Sequence, residues 1–107
     1  DKDLAQSQLE LAVNSLSQVG ERRKAAVAGY RLSLIYVEKN RIKEFMAIIK
    51  KAMEVDPSYA PPFGLMAAQM PLDKPELKKE AQELCKKYLD LTSKGRYVAG
   101  CQRIMKL

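Results

Sequence analysis

A chain of 107 residues is long enough to bury a real core as one domain, and with 47% apolar and 30% charged residues it is too apolar for disorder. Its net charge of +6 permits an acidic partner. The basic residues, however, fall in scattered pairs (Arg22 and Arg23, Lys50 and Lys51, Lys78 and Lys79, Lys86 and Lys87) among Glu44, Glu54, Glu76, Glu80 and Glu83. That is the pattern of solvated helix faces rather than of a nucleic-acid stripe.

Every segment in chain order reads at the helical period. From Leu4 to Val19, Leu9, Ala12, Val13, Leu16 and Val19 recur at i, i+3, i+4 and i+7, and Gly20 suits a C-cap. A second helix runs from about Glu21 to Lys39, with Ala25, Ala28, Gly29, Leu32, Ile35 and Tyr36 on one stripe. Asn40 tolerates the left-handed conformation that ends a helix, so a tight turn follows. The third helix, Arg41 to Val55, groups Ile42, Phe45, Ile49, Ala52 and Met53, and Pro57 ends it at Asp56. Pro61 and Pro62 delay the fourth helix to about Pro62, and Pro71 stops it early. Asp73 and Glu76 have capping-box spacing ahead of a fifth helix carrying Leu77, Ala81, Leu84, Cys85, Tyr88 and Leu91. After "SKG", Arg96 to Leu107 form a last helix with Val98, Cys101 and Met105 aligned. Nothing alternates with period two, so the expected class is all-α with about six helices.

Catalytic chemistry has few footholds. Histidine is absent, and there is no glycine-rich phosphate loop and no Cys-x-x-Cys pair. The expectation is a protein that is not an enzyme, with no catalytic, cofactor-binding or metal-ligating residues. No apolar run is long enough to span a membrane, and no signal peptide is visible. The start at Asp1 rather than Met suits a mature form or an excised fragment. Cys85 and Cys101 sit equally far on either side of Ser93, so antiparallel helices would place them at matching heights. A disulfide between them is geometrically allowed. The preferred reading is two buried, reduced cysteines, because a core of this size does not require a crosslink. The cysteines do not settle the compartment; a soluble chain is expected, with the cytoplasm preferred to an exported or periplasmic location.

An internal period organises the whole chain. Phe63, Met66 and Met70 land on Gly29, Leu32 and Tyr36 when shifted back 34 residues, and on Val98, Cys101 and Met105 when shifted forward 35. Phe45, Ile49 and Ala52 recur as Ala81, Cys85 and Tyr88. A two-helix unit of this length resembles the tetratricopeptide repeat (TPR). The best unit is "AVAGYRLSLIYVEKNRIKEFMAIIKKAMEVDPSY", with Leu32 and Tyr36 at first-helix packing positions, Asn40 at the turn, Ala52 as the small second-helix residue and Pro57 as the terminating proline. Gly29, Ser33 and Phe45 depart from the family's usual residues. In the second unit Met70 does so too, and "PLDKP" expands the turn.

The resemblance implies antiparallel helix hairpins stacked in a right-handed solenoid, because one hairpin cannot hide its apolar face alone. It divides a single 1–107 domain into a half-repeat (1–25), the best repeat (26–59), a degenerate repeat (60–94) and a C-terminal capping helix (95–107). It also implies a non-catalytic protein-interaction scaffold, with a concave groove for a peptide or helix of a partner protein. By helical phase that groove holds Val27, Tyr30, Arg31, Leu34, Val37, Gly64, Ala68, Ala99 and Arg103, an apolar floor suited to a segment bearing an acid. The class that grips chaperone C-termini with Lys and Asn does not fit these residues. The alternative is a structural or self-associating segment of a longer solenoid, which includes a homo-oligomer. Binding of anionic polymers through the lysine pairs ranks below both.

Overall fold

The computed structural model of the protein describes residues 5–7, 10 and 21–107. Among these residues the fold is all-α and has no strand. Five helices are bounded in it: α1 (Arg22–Glu38), α2 (Ile42–Val55), α3 (Pro61–Gln69), α4 (Pro75–Leu91) and α5 (Val98–Met105). Residues 5–7 and 10 are also helical. The rest of the helix predicted from Leu4 to Val19, with its apolar stripe and the Gly20 cap, lies outside the described residues. No helix among the described residues is long and apolar enough to cross a membrane. Where one domain is expected, the chain divides into two compact units, Asp1–Tyr59 and Ala60–Leu107.

In the first unit, α1 and α2 form an antiparallel hairpin joined through Lys39, Asn40 and Arg41. The register follows from its cross-helix pairs: Gly29 faces Ala52, and Arg23 reaches Asp56. Asn40 takes the left-handed conformation (φ 59°) that closes the turn. Ala25, Gly29, Leu32 and Tyr36 of α1, and Phe45, Ile49 and Ala52 of α2, are buried. A Cβ on Gly29 would lie 3.1 Å from that of Ala52, so two small residues let the helices approach closely there. Ser33 is fully buried, and its hydroxyl is satisfied by donating 2.7 Å back to the Gly29 carbonyl. Ile42, grouped with Phe45 by helical phase, is instead 54% exposed, because it opens α2 beside the turn.

In the second unit, Ala60, Ala67, Cys85, Tyr88 and Cys101 make a buried core, with Phe63, Leu84, Tyr97, Val98 and Ile104 packed against it. Pro61 and Pro62 occupy the first turn of α3, where a backbone N–H has no helical partner to lose. The helix therefore starts at Pro61, one residue earlier than expected. The capping box predicted from Asp73 and Glu76 does not form: Lys74 is the N-cap of α4, and no side chain caps it. The last helix is shorter than predicted. Gly95 has φ +136°, and the Tyr97 amide donates to the Tyr88 hydroxyl (3.2 Å), so residues 92–97 are held as a turn. A Cβ at Gly95 would fall 2.6 Å from that same hydroxyl.

Candidate functional site

Helix α1 has two apolar sides. Its inner residues are buried, while Val27, Tyr30, Leu34 and Val37 lie opposite them and stay half-buried. Arg31, on the same outer side, is exposed and makes no ion pair among the described residues. An amphipathic helix in a two-helix hairpin needs only one apolar stripe. These five of the nine predicted groove residues therefore share one helix face.

That face is framed at one end by residues from beyond α2. The Tyr59 ring meets Tyr30 edge-on, with centroids 6.3 Å apart, and the Arg23 guanidinium lies 5.2 Å over the Tyr59 ring. Arg23 is itself held by Asp56, its Nε donating 2.6 Å to Oδ2, and by the Ser58 hydroxyl at 3.1 Å. Asp56 also accepts from the Ser58 amide (3.1 Å) and hydroxyl (2.6 Å), so the "DPS" stretch is a side-chain-closed turn. Tyr59 belongs to the frame that sequence reasoning missed. Its signal was the aromatic residue following that turn.

The Arg23 and Ser58 hydrogen bonds hold the Asp56 carboxyl below its ordinary value of 3.8. A group depressed in the folded state stabilises the fold above its unfolded value and loses that contribution as pH falls through the folded one. The wild type should accordingly lose stability below 3.8. Asp56→Asn should start less stable at neutral pH and show a flatter acid limb, measured by urea unfolding at stepped pH. An equally steep acid limb in the variant would sink this assignment.

A second feature of the first unit has no counterpart in the sequence expectations. An open cleft of about 300 Å³ is lined, among the described residues, by Glu10, Leu32, Tyr36, Glu44, Ala47, Ile48 and Lys51. At its edge the Tyr36 hydroxyl donates 2.7 Å to Glu10 Oε1, and Gln6 donates to the same oxygen at 3.0 Å. Burial, with the Glu10 bond second, pushes the Tyr36 hydroxyl up to about 12, and the same bond holds Glu10 below its usual range. The only hint in the sequence was the spacing of Glu44, Ile48 and Lys51 on α2.

The other four predicted groove residues belong to the second unit. Ala68 of α3 and Ala99 and Arg103 of α5 are exposed. Gly64 is not an open floor. It is buried, and a Cβ there would lie 2.6 Å from both Cβ and Cγ of Tyr97, so the aromatic ring occupies the space that the missing side chain leaves. Cys85 and Cys101 are joined as a disulfide, with Cα atoms 5.0 Å apart and both residues buried. Two reduced thiols, the preferred sequence reading, are therefore not what the structure holds. No protein-family model matches the chain, and no curated protein matches it.

Proposed function

We propose that the chain is a non-catalytic protein-interaction module built from TPR-like helix hairpins, which takes an apolar segment of a partner protein on the outer face of α1. One observation carries this reading: Val27, Tyr30, Leu34 and Val37 form a half-exposed apolar strip opposite the α1–α2 interface. Exposed Arg31 beside the strip favours a partner segment that bears a carboxylate. The TPR likeness is supported by the left-handed turn at Asn40, the close Gly29–Ala52 approach and the burial of Leu32 and Tyr36. The buried Cys85–Cys101 bond supports an oxidising compartment over the cytoplasm.

The test is a pull-down from the native source with wild type and with Tyr30→Asp combined with Leu34→Asp. Capture should be lost while the helical circular dichroism is kept. Undiminished capture by the folded variant would remove the α1 face from consideration.

A further inference from the structure

The second unit contains one short helix that a covalent bond ties to its neighbour. Helix α5 has eight residues, too few to persist alone in water. Only Cys101 of α5 is fully buried, while Val98 and Ile104 are half-buried. Beyond the bond, Val98 and Ile104 pack against the core, Gln82 of α4 donates to the carbonyls of Ile104 (3.1 Å) and Leu107 (3.3 Å), and Tyr97, just before the helix, stacks edge-on against Tyr88. Helices α3 and α4 have a different basis. They bring Ala60, Phe63, Ala67, Leu84 and Tyr88 into one core, and α4 has seventeen residues.

We infer that Cys85–Cys101 is a redox latch: oxidised, it pins α5 on α4, and reduced, it releases α5 and the preceding turn while α3 and α4 stay paired. The reductant is a dithiol. Its thiolate attacks one sulfur of the pair and displaces the other cysteine as a thiolate, which takes up a proton. The second dithiol sulfur then resolves the mixed disulfide. Two cysteine thiols and one oxidised dithiol result, with two electrons transferred.

Both cysteines are buried, at 0% and 2% exposure, so attack waits on a brief local opening that exposes one sulfur while the bond is still intact. The latch therefore answers to a sustained reducing environment rather than to passing contact with a thiol. With the cysteines 16 residues apart, the crosslink restricts the open state by roughly a hundredfold, and reduction restores that freedom. Release would take Tyr97 off Gly64 and expose Tyr88, opening an apolar face that the oxidised chain keeps covered.

The experiment is amide hydrogen exchange on the full chain, read by mass spectrometry, with and without dithiothreitol, and with Cys85→Ala combined with Cys101→Ala. Reduction should accelerate exchange in 97–107 by about two orders of magnitude. Exchange in α3, α4 and the first unit should change far less. The double variant should match the reduced chain and ignore dithiothreitol. Unchanged protection of α5 after reduction would overturn the latch, as would a collapse of protection through α3 and α4 together. A dithiothreitol response in the double variant would overturn it as well.

Discussion

Phe45→Ala should lower the unfolding free energy by about 3–5 kcal/mol, the cost of removing a buried aromatic side chain and leaving a cavity. Phe45 is 2% exposed and shares a helix face with Ile49 and Ala52, which are also buried. The reading is the urea midpoint at unchanged slope, since a changed slope would mean an altered unfolded or native ensemble. Ile42→Ala is the matched control. It deletes an aliphatic side chain from the same predicted stripe, but at a position 54% exposed, so the expected loss is within about 0.5 kcal/mol. Similar losses in the two variants would mean that the core of the first unit is wrongly placed.

Gly64→Ala should destabilise the second unit by about 1–3 kcal/mol, although alanine is the better helix former by nearly 1 kcal/mol. The new methyl would meet the root of the Tyr97 side chain at 2.6 Å, and a side-chain root cannot swing aside as a flexible tip can. A double-mutant cycle with Tyr97→Gly isolates the contact, because the Cβ, Cγ and Cδ2 atoms that meet the new methyl are then all gone. The double variant should lose less than the sum of the two single losses, by more than about 0.5 kcal/mol. Strict additivity would show that the Tyr97 side chain and Gly64 do not meet.

Much of this architecture could be read from residue spacing, because each hairpin is specified by local signals. The 3.6-residue period located α1, α2 and α4, and Asn40 announced its own turn through its tolerance of the left-handed region. Gly64 shows where such reading stops. A bare position on a helix looks like open space in one dimension, and only the fold shows which side chain fills it. The Asp73–Glu76 spacing failed for a related reason: a cap depends on one residue's backbone geometry, and the extended conformation fell at Lys74 instead. For the groove, helical phase put five residues on one face of α1, but phase carries no information about a frame brought in from Tyr59. The cleft beside Tyr36 is easily passed over in the sequence because Leu32 and Tyr36 have a sufficient explanation as packing residues.

The short connection between α1 and α2 has a consequence for how the protein is made. Joined through Lys39, Asn40 and Arg41 alone, the two helices meet across small separations in sequence near the turn, and larger ones only toward Arg23 and Asp56. Zipping outward from Asn40 closes no large loop at any step, so chain topology imposes little delay on the search. During synthesis the hairpin can therefore assemble once Tyr59 has emerged, before the second unit is free of the ribosome. An early-formed hairpin hides Phe45 and Ile49 from the crowded surroundings of a nascent chain, while the outer strip of α1 stays open to another molecule.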